Sequence, residues 1–454
     1  MSLRRLAWAG LAVAFVCAAG LRAGLAVHRY FDTDELVHLH SALLTAHGNL
    51  PFRDFFEHHG PLFSAMLAPV VAGPADPSAK AWAGRAAVSL FWAALLLLVA
   101  RRRGVGAFEG ALAAAWLAFF TGFMQKSLEI RPDVPAAFLI LAACAAAART
   151  ERWSGLAVGA TLALAGWCTP KAIFPAAGLV LASAWRRRGK KRAAADFLLL
   201  SSLGALLVVG AGAAYYAARG ALGPLWTYYF LYNAGFPGAD VAWSMTLKPS
   251  LLSDPLAWAL GLAGLRRWRQ RPEESGALAA SLAGLAVTPS AYPQYLLFIA
   301  PFLTGFASAE LLGWAGSNRR RGMCAAAALA LSIALPARAA LKLIGEGNEL
   351  QLERWRCVSS SLPADAAVWD VWTGDSFHRP HASRIWFVPE DSQAYYEPTR
   401  LESELIAALA NPRTRGAIRC ESCLARLPRG VTEAFDRHFR ASGCGRLWLR
   451  KEGP

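Results

Sequence analysis

Eleven apolar stretches recur along this chain, most of them near the length that carries a helix across a bilayer, about 20 residues. They fall near residues 6–27, 81–100, 107–123, 134–148, 153–168, 172–185, 195–217, 251–265, 276–289, 295–314 and 322–341. Backbone polar groups in hydrocarbon find partners only within their own segment or a closed barrel, so segments of this length are expected to be helices. The 454 residues are 55% hydrophobic and 17% charged, too little polar surface for a soluble protein of this size.

The positions of the basic residues sharpen this reading. Clusters stand at Arg4-Arg5, Arg101 to Arg103, Arg149 with Arg152, residues 186–192, residues 266–271 and Arg319 to Arg321. That is every second gap between apolar stretches, the signature of Lys and Arg retained on the cytoplasmic side. The net charge of +16 therefore reports topology, and nucleic acid is not an expected partner. Met1 to Arg5 is basic and the apolar run after it exceeds the ~7–15 residues of a signal-peptide core, so an uncleaved first helix is expected. The register predicts a cytoplasmic N-terminus and an extracytoplasmic C-terminus. Ala- and Arg-rich composition suggests a bacterial inner membrane.

Two long segments fall outside under this register. One, residues 28–80, is the first outer loop of a bundle spanning residues 1–341. The other, residues 342–454, is expected to form a small α/β extracytoplasmic domain, with strand-like pieces at Ala366–Trp372 and Arg384–Val388. Cys357, Cys420, Cys423 and Cys444 lie in that tail, where an oxidising compartment permits disulfides. For Cys420 and Cys423 a structural disulfide is preferred over a zinc site, since no second matched pair or nearby histidine accompanies them. Cys17, Cys144, Cys168 and Cys324 read as small apolar residues. No Walker-type loop and no dinucleotide fingerprint occurs, which argues against an ATP-driven machine within this chain.

Residues that carry chemistry concentrate outside the spans. Directly after the first span stand Asp32, Asp34, Glu35, His38 and His40. A helix cap accounts for Asp32 or Thr33; it does not account for the whole set, because His38 falls one helical turn after Asp34. Later in the loop come Glu57, His58 and His59. Glu57 with His58 offers ligands for a divalent metal, and the same residues suit a phosphate or sugar hydroxyls. Glu129-Ile130-Arg131-Pro132-Asp133 and Thr169-Pro170-Lys171 each sit at a helix start on the same side. Charges at a membrane boundary are costly unless paired or functional, and a cation at a helix start opposes the helix dipole. Acids in one loop with cations in others fit transfer from a lipid-linked phosphate donor: an acid takes a proton from an acceptor hydroxyl, a cation holds the departing phosphate.

At these residues the sequence resembles the GT-C glycosyltransferases, specifically the family 39-like group that includes protein O-mannosyltransferases and lipid A aminoarabinose transferases. The resemblance rests on four features and covers about the first 190 residues. They are the Asp34-Glu35 pair after the first span, Gly48 to Pro51 with His59 to Leu62, Arg131 to Asp133 before a span, and Lys171 before another. It implies an all-α polytopic bundle of GT-C type. It further implies a hexosyl or pentosyl transferase, inverting, that uses a polyprenyl-phosphate sugar on the outer face of the membrane, with a lipid, glycan or protein as acceptor. Carried over, Asp34 is the base with Glu35 supporting it, and Asp32 competes because Asp-x-Asp-Glu leaves the register open. Arg131 and Lys171 would face the lipid phosphate, Asp133 would orient the loops, and Glu57, His58 and His59 would border the donor or an ion. His-His-Gly-Pro-Leu stands where many relatives have Pro-Pro-Leu, which puts the contacts of His58 and His59 in doubt. The rival classes are a secondary transporter, which would place its charges near the bilayer midplane, and a non-catalytic membrane scaffold.

Overall fold

The computed structural model describes residues 3–73, 76–149, 151, 153–235, 243–289, 291–386, 388 and 398–451. Contacts divide the chain into two compact units, neither contiguous in sequence. The first comprises residues 1–29, 88–215 and 239–346; the second comprises residues 30–87, 216–238 and 347–454.

The first unit is a bundle of apolar helices. Each of the eleven stretches is helical: α1 (Leu3–His28) and α4 (Pro77–Ala100), then Ala107–Phe119, Asp133–Ala147, Ser154–Cys168, Ile173–Arg186, Lys191–Ala218, Pro255–Gly264, Pro272–Val287, Leu296–Ala315 and Arg319–Gly345. Five of the described helices are long and apolar enough to cross a membrane by length and composition, the architecture of a multi-pass membrane protein. Leu181, Leu199 and Leu206 are exposed on the bundle's surface, an arrangement suited to lipid and costly in water. Helices start where proline fixes φ at the first turn, as at Pro255 and Pro272. They pair through small residues. Gly178 faces Gly276 where Ile173–Arg186 crosses Pro272–Val287, and a Cβ on either would collide with the other's carbonyl.

The second unit joins the loop after α1 to the tail. It holds α2 (Thr33–Ala46), α3 (Pro61–Ala72), the first turns of α4, and the tail helices Glu349–Ser361, Pro398–Ala410 and Arg429–His438. Four strands, β1 (Ala367–Trp369), β2 (Thr414–Ile418), β3 (Phe439–Ala441) and β4 (Leu447–Arg450), form a sheet of order β1-β2-β4-β3. The β1–β2 pair is parallel and the others antiparallel. Trp369, Leu405, Leu409, Phe435 and Phe439 form the core between sheet and helices. Cys357–Cys444 and Cys420–Cys423 are disulfides, and Cys144 and Cys168 are buried in the bundle.

The tail reaches the loop through side-chain pairing. Gln351 grips the backbone of Phe31, donating to its carbonyl at 2.9 Å and accepting from its N–H at 2.8 Å. Trp355 lies against the Phe31 ring at 5.3 Å, and His40 Nδ1 meets the Phe377 carbonyl at 2.7 Å. Of the strand expected over Ala366–Trp372, Ala367–Trp369 is present as β1. Of the stretch Arg384–Val388, Phe387 lies outside the described residues and the remaining four carry no strand.

Candidate functional site

The loop after α1 turns into α2 through a capping box. Asp32 is the N-cap; its Oδ1 accepts from the Asp34 N–H at 3.0 Å, and Glu35 Oε1 accepts from the Asp32 N–H at 3.0 Å. Glu35 is wholly buried and meets Arg85 in a bidentate pair, Nε to Oε2 at 3.0 Å and Nη2 to Oε1 at 2.8 Å. The Arg85 guanidinium also donates to the Tyr30 carbonyl at 3.0 Å and lies 3.6 Å from the centre of the Phe31 ring. The three acids of this short segment thus occupy three environments: Asp32 caps, Glu35 is held in an ion pair, and Asp34 is half-buried between them.

Further along α2, Ser41 Oγ donates to Glu57 Oε2 at 2.7 Å. The other Glu57 oxygen accepts from the backbone N–H of His58 at 2.9 Å and of His59 at 3.0 Å, and lies 3.0 Å from His59 Nδ1. Burial raises the Glu57 carboxyl, but the His59 hydrogen bond and the charges of His59, His38 and His58 overcome it and hold the group well below the usual carboxylate range. Donor atoms of His38, Glu57 and His59 lie within 4.8 Å of one another. Of the expected metal residues Glu57 and His58, Glu57 belongs to this group. His58 stacks on Phe56 at 5.8 Å, faces Tyr232 at 5.2 Å and has its ring centre 4.0 Å from that of His59. Two imidazoles and a carboxylate form a donor set suited to zinc.

In the bundle, Glu129 is fully buried ahead of the helix Asp133–Ala147. Arg131 Nε lies 2.5 Å, Lys126 Nζ 2.7 Å and Arg29 Nη2 2.8 Å from its carboxylate. Burial opposes ionisation, yet Arg131, Lys126 and Arg29 bring Glu129 down to about 2. Asp133 is the first residue of its helix, where its charge suits the dipole, and Lys171 Nζ lies 3.4 Å from it. Lys171 sits on the short turn Pro170–Ala172 and its ammonium is 5.8 Å from the Tyr295 ring centre. The cation at this helix start therefore has an anionic partner, Asp133, within the protein.

Asp32, Asp34, Glu35, Glu57, His58 and His59 belong to the second unit, and Arg131, Asp133 and Lys171 to the bundle, where Lys171 pairs with Asp133. Arg85, Ser41, Arg29 and Lys126 went unread. Arg85 left one signal, a lone charge inside the apolar stretch 81–100, where an unpaired guanidinium is costly. Ser41 left none, since a serine on a helix has no distinguishing pattern.

No protein-family model matches the sequence, and no curated protein matches it. Solved structures do match. ArnT from Cupriavidus metallidurans, bound to undecaprenyl phosphate, is similar over 99% of this chain and 98% of its own, with a TM-score of 0.67 at 13% identity. Its apo structure gives a TM-score of 0.61 at 14% identity over 93% of this chain and 94% of its own. The archaeal oligosaccharyltransferase AglB from Archaeoglobus fulgidus, in complex with an inhibitory peptide and a dolichol-phosphate, covers 99% of this chain and 75% of its own. Its TM-score is 0.57 at 12% identity. The chain described here has the fold of these structures.

Proposed function

We propose that this chain is a membrane glycosyltransferase that moves a sugar from a polyprenyl-phosphate donor to an acceptor on the outer face of the membrane. The observation that carries the reading is the fold, matched end to end with an ArnT that holds undecaprenyl phosphate. Asp34 is the general base of this proposal. Support comes from its place: Asp34 stands half-buried in the first turn of α2, directly after the first span, between the capping Asp32 and the ion-paired Glu35. A base that takes the acceptor's proton suits an inverting displacement by the acceptor hydroxyl. Arg131 and Lys171 are the cations assigned to the lipid phosphate, with Asp133 orienting Lys171. His58 and His59 border the donor. His38, Glu57 and His59 are the residues that would hold a divalent ion, whose charge would add to the attraction for a phosphate.

The test is transfer of radiolabelled sugar from polyprenyl-phosphate donors by the purified protein. Asp34→Asn should lower turnover by a factor of about 10² to 10⁴, the usual worth of a general base. Asp32→Asn should change it little, since Asn caps a helix about as well as Asp. The reverse pattern reassigns the base, and no turnover with any such donor overturns the reading. Loading with Zn²⁺ should raise the melting temperature of the wild type, and the increase should vanish in Glu57→Gln.

A further inference from the structure

The second unit contains a cavity of about 370 Å³ that none of the residues above explains, a volume within the range of small-molecule sites. Its walls are Phe56, Tyr228, Tyr232, Arg384, Arg400 and Glu404, with aliphatic contributions beside them. The rings stand at angles. Phe56 meets Tyr228 edge-on at 5.6 Å and Tyr232 at 5.5 Å. Tyr228 belongs to a six-residue π-helical segment, Trp226–Leu231, a widened turn of a kind that recurs at functional sites.

The polar groups are placed in two ways. Arg384 is fixed: its Nη2 donates to the Phe52 carbonyl at 2.7 Å, its Nη1 lies 3.3 Å from the Tyr228 hydroxyl, and its guanidinium sits 5.0 Å from that ring's centre. Its Nε is buried and makes no hydrogen bond among the described residues. Arg400 and Glu404 form a 3.1 Å pair with Arg400 largely exposed, which lets the pair open at little cost. Aromatic walls with a few fixed polar groups suit a saccharide, whose C–H faces are apolar and whose hydroxyls both donate and accept. Two guanidiniums against one carboxylate favour a sugar that carries an acid.

We propose that this cavity binds an acidic hexose unit of the acceptor. The inference rests on the glycosyltransferase reading for the word acceptor; none of Arg131, Asp133 and Lys171, the residues assigned to the donor phosphate, lines this cavity. Phe56 directly precedes Glu57, so one wall of the cavity belongs to the loop that carries the Glu57 cluster.

The experiment is ligand-detected NMR and calorimetry on the detergent-purified full chain with glucuronic acid and glucose as probes. Glucuronic acid should bind at millimolar concentration or better, and at least fivefold more tightly than glucose. Tyr228→Ala should weaken both sugars at least fivefold. Arg400→Gln, at an exposed position that leaves the fold intact, should weaken glucuronic acid while sparing glucose. Binding of neither sugar, or equal binding by wild type and both variants, overturns the proposal. Competition between glucuronic acid and a polyprenyl-phosphate donor for one site would assign the cavity to donor sugar and overturn the acceptor assignment. Failure of the enzyme reading shows separately, as absent turnover with sugar binding intact.

Discussion

Helices in the bundle approach each other where side chains are missing. A Cβ on Gly159 would strike the Ser201 carbonyl, and one on Gly204 the Leu156 carbonyl, so Ser154–Cys168 and Lys191–Ala218 meet backbone to backbone. In the loop-and-tail unit the same task falls to large rings and covalent links: Trp355 on Phe31, Trp369 on Phe435, and two disulfides. The difference follows from the solvent. Lipid is as apolar as leucine, so helix association there depends on close van der Waals contact between small residues. In water, burying aromatic area is itself a driving force. The bundle is thus held by shape and the second unit by burial and cross-links.

Gly159→Leu attacks the comparison hardest. The new side chain has backbone in its way, and overpacking of a site that cannot yield costs upward of about 3 kcal/mol. Size-exclusion profiles in detergent should lose the monodisperse peak, and a well-behaved variant would show that close approach is dispensable. Arg85→Leu strands the buried Glu35 carboxylate and should cost about 3 to 5 kcal/mol, seen as a lower melting temperature. Adding Glu35→Leu to it should return part of that loss. The disulfides sharpen the contrast by loop length. Removing Cys357–Cys444, separated by 87 residues, should cost about 4 to 5 kcal/mol, against about 2 for Cys420–Cys423, separated by 3.

The smallest effect is a difference in pH response. Glu129 in the bundle is depressed to about 2, so its contribution is fully present above the ordinary carboxylate value and is lost as pH falls from about 4.5 towards 2. Asp375 in the second unit is raised by burial and by Asp370 to about 7. Its contribution is present below the ordinary value near 3.8 and is lost as pH rises through about 7. Melting temperatures of Asp375→Asn and Glu129→Gln across pH 3 to 8 should flatten the two slopes separately. A single slope unaffected by either change would remove the distinction.

The helical segments and the charge alternation were legible because each is a local property. A run of about 20 apolar residues specifies a helix wherever it sits in a bilayer, and Asp32 to Glu35 spells a capping box in four letters. What the letters did not carry were pairings over long separations. Glu35 reads as a second acid beside Asp34, and only folding places Arg85, fifty residues on, against it. Glu57 and His58 read as candidate metal ligands from the loop alone; folding adds His38 from α2, whose donor atom lies within 4.8 Å of those of Glu57 and His59.

The sequence by itself determined that this chain is a multi-helix apolar bundle with a charged loop and a cysteine-bearing tail, since hydrophobic length, charge position and cap chemistry act within one turn or one span. The tertiary structure alone decided that the loop after α1 and the tail form one unit, through Gln351 on the Phe31 backbone and His40 at the Phe377 carbonyl. These contacts join residues 320 and 337 positions apart. Hydrogen bonds of that reach depend on where the intervening helices put the two ends of the chain, and no short-range pattern encodes it.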